Sequence, residues 1–305
     1  MHAHEIMAEG LAFPEGPVVM DDGSVIIVEI ALGRITRILP DGRRLTIAEP
    51  GGGPNGLAIG PDGALYVCNN GGFEWSEMDG LRIPGGAAAD YAGGRIERVD
   101  IRTGTVDRLY DHVEGVPLSG PNDIVFDKAG GFWFTDLGKH HPHHTDHGGL
   151  FYGLPDGSRV VCAVRGPNFN GVGLSPDGQT VYAATTYERT ILAFAVTGPG
   201  QVEPSPLAAV PGRVVTSFPG HVLLDSLAIE ADGRIAQATL VARPGICSVH
   251  PETGAQEDFA FPDLLSTNIA FGGADMMDAY VTLSTTGKLA RCRWPRPGLR
   301  LAYNR

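Results

Sequence analysis

Six times along this chain a polar residue opens an apolar run, a turn follows, and a second apolar run returns. The copies begin at "PEGPVVMDDGSVIIVE", "PNGLAIGPDGALYVCN", "PNDIVFDKAGGFWFTD", "FNGVGLSPDGQTVYAAT", "LDSLAIEADGRIAQAT" and "TNIAFGGADMMDAYVTL". Their leading polar residues are Glu15, Asn55, Asn122, Asn170, Asp225 and Asn268, separated by 40, 67, 48, 55 and 43 residues. A repeat of this length matches one four-stranded propeller blade, with an insertion in the longest interval. Asp-Gly pairs at Asp22, Asp177 and Asp232 mark tight hairpins between alternating strands. Third strands follow in "GRITRILPDG", "GRIERVDIRTG", "GGLFYGLPDG" and "GKLARCRW". No long segment carries an apolar stripe of period 3.6, which disfavours an α/β sandwich and predicts an all-β chain.

The expectation is therefore a six-bladed β-propeller of four-stranded antiparallel blades, one domain over residues 1–305. "HEIMAEGLAF" precedes the first inner strand and is placed to supply the outer strand of the last blade, closing the ring. With 305 residues, 43% of them hydrophobic, the chain has material for a large core, and 43 Gly and 23 Pro supply the turns.

Composition narrows the function. A formal net charge of -12 repels phosphate backbones, so no nucleic-acid partner is expected. The basic group Lys288, Arg291, Arg293, Arg296 and Arg300 reads as a solvated outer strand and tail. No stretch reaches the roughly 18 apolar residues of a membrane helix, and the first residues lack a secretory pattern, so a cytoplasmic protein without a membrane partner is expected. Four widely spaced cysteines read as buried thiols.

In a propeller the first strand of each blade lines the axis, so the six leading residues form a ring at one mouth of the channel. Two carboxylates and four amides gathered away from bulk water call for a cation. An all-oxygen set ranks Ca²⁺ first, with Mg²⁺, Mn²⁺ or Zn²⁺ behind it. For any single Asn the alternative is simple turn capping.

Loops between second and third strands return to the ring's face, and three stand out. Asn69 to Gly94 is long and carries Phe73, Trp75 and Tyr91, fitting a lid or wall over an apolar substrate. "GKHHPHHTDHGG" holds five histidines, which fit a transition-metal site, a proton donor, a substrate contact or a solvated loop. His140 and His141 lie nearest the strand end. "TTYERT" presents Tyr187.

At these residues the chain resembles the SMP-30/gluconolactonase/LRE family of six-bladed propellers, which includes regucalcin-type and diisopropyl fluorophosphatase-like proteins. The marks are "FPEGP" with Glu15, "GPNDIVFDKAGGFWFTD" with Asn122, "FNGVGLSPDG" with Asn170, "LDSLAIEADG" with Asp225 and "STNIAFGG" with Asn268, spanning Phe13 to Trp294. The resemblance implies a divalent metal on Glu15, Asn170 and Asp225, with Asn122 as a further ligand or substrate contact, and hydrolysis of a lactone or related electrophile. Two positions depart from the family pattern. Ser226 follows Asp225 where many relatives have Gly, and the fourth repeat's second strand ends in Thr185-Thr186 where Asp is common.

On this reading Asp225 orients or deprotonates the attacking water. Asn55, Asn122, Asn268, Trp75, Tyr187, His140 and His141 are the expected substrate contacts. Competing readings put phosphotriester hydrolysis or an isomerisation in the same metal pocket, or make the propeller a non-enzymatic binder of metal or metabolite.

Overall fold

Each predicted hairpin is present in the computed structural model, which describes residues 1–207 and 210–304. Blade 1 runs outward from the axis through Pro14–Val19, Val25–Glu29, Arg34–Ile38 and Arg44–Ala48. Blade 2 uses Pro54–Ile59, Leu65–Asn69, Arg95–Val99 and Val106–Tyr110. Blade 3 uses Pro121–Phe126, Phe132–Asp136, Gly148–Gly153 and Val160–Gly166. Blade 4 uses Phe169–Leu174, Thr180–Thr185, Thr190–Gly198 and Arg213–Ser217, with Gln201–Val202 as a short extra strand. Blade 5 uses Val222–Ile229, Ile235–Val241, Gly245–Val249 and Gln256–Ala260. The sixth blade is built from Ser266–Gly272, Asp278–Leu283 and Lys288–Arg293, and the N-terminal strand Glu5–Glu9 completes it from outside. The six antiparallel sheets form a β-propeller, and the helix among the described residues is a single 3-10 turn, Ile30–Leu32.

The strands carry apolar side chains on both faces because each sheet packs between two others, as with Ile26, Val28, Leu65 and Val67 between blades 1 and 2. Lys288–Arg293 is thus a third strand covered by Glu5–Glu9, not the outer strand expected for the basic cluster. Its arginines are neutralised in place: Arg291 and Arg293 pair with Asp278, Arg293 also with Asp275, and Arg296 with Glu230 and Glu257.

All six inner strands share one irregularity. The register slips by one residue at Glu15/Val18, Pro54/Leu57, Pro121/Ile124, Phe169/Val172, Leu224/Leu227 and Ser266/Asn268. Such bulges re-aim side chains, and here each falls on the residue that opens its repeat. The inner strands also nearly touch. A Cβ on Gly16 falls 2.3 Å from the Asn55 carbonyl oxygen, and one on Gly56 falls 2.5 Å from that of Asn122. Only glycine allows this spacing, which draws the ring residues together.

Below the ring the axis opens into a cavity of about 790 Å³, bounded by Gly16, Asp123 and Asn268 at the ring end and by Asp22 and Asp177 at the turns. The tail Leu299–Asn304 lines its far end, held there by the bond from the Leu299 N–H to the Ile229 carbonyl. Among the described residues no helix is long and apolar enough to cross a membrane.

Candidate metal centre and lid at the channel mouth

The bulges bring Glu15, Asn55, Asn122, Asn170 and Asn268 to the channel mouth as buried side chains, between 2% and 6% exposed. Asp225 joins them while keeping part of its surface open. Three oxygens in this set are buried without any hydrogen-bond partner: Glu15 Oε1, Asn122 Oδ1 and Asn170 Oδ1. Each of these residues is held by its other atom or its neighbours. Glu15 Oε2 accepts from the Gly16 N–H at 2.5 Å and from Asn268 Nδ2 at 2.7 Å. Asn170 Nδ2 donates to Thr186 Oγ1 at 3.0 Å, which fixes the direction of its free oxygen.

The electrostatics point the same way. Burial raises the Glu15 carboxyl, against hydrogen bonds from Thr267, Asn268 and the Gly16 N–H that pull it down. Burial, then the charge of Glu15, pushes Asp225 well above the carboxylate range. Asp123 is raised by the same two causes. Three carboxyl groups crowded beside unpartnered oxygens are the kind of chemistry that a hard cation relieves. The residues present fit such an ion.

The ring is fixed from behind by the ends of the second strands. Asp136 accepts from the N–H groups of Ser119, Gly120 and Gly138 at 2.9, 2.8 and 2.7 Å, pinning the segment that carries Asn122. Asn69 does the same for the Gly53 N–H before Asn55. In blade 4 the Thr185-Thr186 departure has a local purpose, since Thr186 is the hydroxyl that anchors Asn170. The Ser226 hydroxyl, the other departure, bonds Asp123. Gln237 Nε2 holds the Asp225 carbonyl at 2.8 Å.

The long insertion folds into a hairpin, Phe73–Met78 with Leu81–Ala87. It reaches across the mouth: the Arg82 N–H donates to the Thr285 carbonyl of blade 6, and the Ala87 N–H to the His140 carbonyl. Trp75 packs on Phe13 with ring centroids 5.0 Å apart. Tyr187 is 47% exposed, and burial and the charge of nearby Asp225 raise its hydroxyl. His140 Nε2 lies 2.8 Å from that hydroxyl, so Asp225, Tyr187 and His140 follow one another along the mouth. His141 bonds Asp146 instead, at 3.0 Å.

Two residues of this region escaped the sequence reading. Asp123 sits directly after Asn122, where strand alternation sets it on the opposite face, and only the bulge brings it to the axis. Lys139 is 2% exposed, with Nζ 3.8 Å from the Phe73 ring centroid and 3.1 Å from Asn70 Oδ1. Nothing local in "LGKHH" announces a buried lysine.

Comparison with known proteins agrees with this architecture. Among curated relatives, a gluconolactonase of Zymomonas mobilis is 25% identical over 203 residues, 60% of this chain and 51% of the relative. The lactonase drp35 of Staphylococcus aureus is 26% identical over 235 residues, 76% of this chain and 64% of the relative. The chain thus spans between half and two thirds of the length of these relatives. Among solved structures, a calcium-binding protein, regucalcin, of Agrobacterium tumefaciens superposes with a TM-score of 0.73 at 18% identity, over 98% of each chain. The sequence profile of the SMP-30/Gluconolactonase/LRE-like region matches residues 13–285, and the chain belongs to that family.

Proposed function

We propose that this chain is a metal-dependent hydrolase that opens a lactone or similar cyclic ester at the channel mouth. The observation that carries the reading is the set of three buried, unpartnered oxygens on Glu15, Asn122 and Asn170 beside Asp225. The names of the relatives, gluconolactonase and lactonase, supply the substrate class. Glu15, Asn170 and Asp225 hold the ion, with Asn122 as a fourth oxygen, and the calcium-binding description of the regucalcin neighbour favours Ca²⁺. When bound, the ion supplies Lewis-acid polarisation of the ester carbonyl and stabilises negative charge on its oxygen.

The remaining work belongs to the chain. Asp225, ionised where a bound cation offsets the burial and the Glu15 charge that raise it, takes the proton of the attacking water as the water oxygen bonds to the acyl carbon. The ring C–O bond then breaks, and the proton passes to the departing alkoxide, giving a hydroxy acid. Tyr187, held by His140, offers its hydroxyl to a substrate oxygen next to Asp225. Asn55 and Asn122 contact the substrate from blades 2 and 3, and Trp75 walls its apolar side. Asn268 spends its amide on Glu15 and so serves by positioning that carboxylate.

The test is proton release from sugar, aliphatic and aromatic lactones by metal-stripped protein, before and after adding Ca²⁺, Mg²⁺, Mn²⁺ or Zn²⁺. Hydrolysis restored by Ca²⁺ is expected, and Asp225→Asn should lower kcat by about 100-fold or more while leaving the fold intact. Near-full activity in that variant removes Asp225 as the base. No hydrolysis with any metal leaves a binding protein or another reaction.

A further inference from the structure

We propose a second metal site, separate from the oxygen ring, in the turn His141–Asp146, with His141, His144 and Asp146 as ligands for a transition-metal ion of the zinc class. The turn is closed by an antiparallel bridge of its own backbone, made by two hydrogen bonds. His140 and Thr145 form a β-bridge, the His141 N–H donates to the His144 carbonyl at 2.9 Å, and the Asp146 N–H donates to the Lys139 carbonyl at 2.9 Å. This closure brings together three side chains that the spacing H-x-x-H-x-D leaves scattered in an open loop. One ligand atom from each lies within 4.8 Å of the others.

The details favour coordination over a chance cluster. His141 Nε2 is 3.0 Å from Asp146 Oδ2, and His144 Nε2 is 3.6 Å from Asp146 Oδ1. The two imidazoles lie nearly parallel, 15° apart with centroids at 4.4 Å, and both face one carboxylate. Ligands on a tetrahedral ion with bonds of about 2.0–2.1 Å stand roughly 3.3–3.4 Å from one another. The two histidine–carboxylate distances, each to a different oxygen of Asp146, lie on either side of that spacing, and with one atom from each residue within 4.8 Å of the others a small rotation of the side chains closes the set. His144 is 64% exposed, leaving its ring free to rotate and a fourth position open to water.

Two nitrogens and one oxygen select a borderline ion, whereas the ring's oxygens select a hard one. The same loop thus adds a second metal chemistry to the mouth. Its position gives occupancy a consequence. The turn carries His140, which bonds Tyr187 and accepts from the lid at Ala87, and the His141 ring meets Tyr91 edge-on at 5.8 Å. An ion there stiffens the turn that holds His140 against Tyr187 and the lid.

The experiment titrates metal-stripped protein with Zn²⁺ against a chromophoric chelator, in excess Ca²⁺, and repeats it for His144→Gln and for the double variant His2→Gln/His4→Gln. Wild type should take up one equivalent of zinc, His144→Gln should bind it about 100-fold more weakly or less tightly still, and the N-terminal variant should match wild type. Cobalt should give the visible absorption of an imidazole-ligated tetrahedral ion in wild type and not in His144→Gln. The thermal midpoint of His144→Gln in chelator should equal that of wild type, which separates lost ligation from lost folding. Zinc uptake undiminished in His144→Gln, no uptake in wild type, or loss in the N-terminal variant overturns the proposal.

Discussion

Lys139 is charged by type and buried by position. Burial pulls its amine down to about 7, against the charges of Asp136 and Asp146. The ammonium donates to Asn70 Oδ1, and two aromatic faces, Phe73 and Tyr91, enclose the rest of it. In an unfolded chain a lysine titrates near 10.4. Between pH 7 and that value the unfolded state therefore binds more protons than the folded one, so stability rises with pH across this window. Below pH 7 the full cost of the buried ammonium is present. In metal-stripped protein the urea midpoint of wild type should climb from pH 7 to pH 9.5 relative to Lys139→Met, whose side chain keeps the length and loses the charge. Parallel pH profiles for the two proteins place the titration elsewhere. The sequence could not announce this residue, because its burial comes from a lid that starts at Phe73 and returns over blade 3.

At the scale of elements the inner-strand bulge is the unit that makes the site. The ring positions were legible because each opens a repeat and is followed within a few residues by a turn. Asp123 was not, since strict alternation separates it from Asn122, and only the bulge sets it on the axial cavity beneath the ring. The bulge of blade 3 is held by Asp136, whose carboxylate collects three backbone N–H groups. Asp136→Ala leaves those donors buried without acceptors and should cost about 3 kcal/mol or more in urea unfolding. Asp136→Asn keeps one acceptor oxygen and should recover part of the loss. If alanine unfolds at the wild-type midpoint, the pin is not what holds the Asn122 segment. The lid was legible as an insertion with aromatic side chains, but its hairpin register, and its reach to Thr285 in blade 6, depend on partners distant in sequence.

The whole molecule depends on how its ring closes. A propeller is a row of sheets until the last blade meets the first, and here the last blade borrows its outer strand from the chain's own beginning. Glu5, Ile6, Ala8 and Glu9 pair with Arg291, Ala290, Leu289 and Lys288, and Ala8 and Leu11 pack with Ile38 of blade 1 and Tyr280 of blade 6. This closure was legible, because the segment before the first inner strand had no place of its own in the repeat. It also couples the site to the seam: Glu15 stands in the first blade and is held by Asn268 of the last, while Ser284 Oγ of the last blade donates to the Pro14 carbonyl at 2.6 Å. Removing residues 1–9 exposes the backbone edge of Lys288–Arg293 and takes away several strand bonds, each worth about 1 kcal/mol net, together with the Ala8 contacts. The truncated protein should lose at least about 3 kcal/mol in urea unfolding and should associate through the bared edge, seen as larger species in size-exclusion chromatography. On the proposed reading of a Ca²⁺ site at Glu15, which the seam passes beside, the affinity for Ca²⁺ should fall along with the stability. A truncated chain that stays monomeric, equally stable and equally tight for Ca²⁺ shows that the N-terminal strand covers the sixth blade without closing the ring.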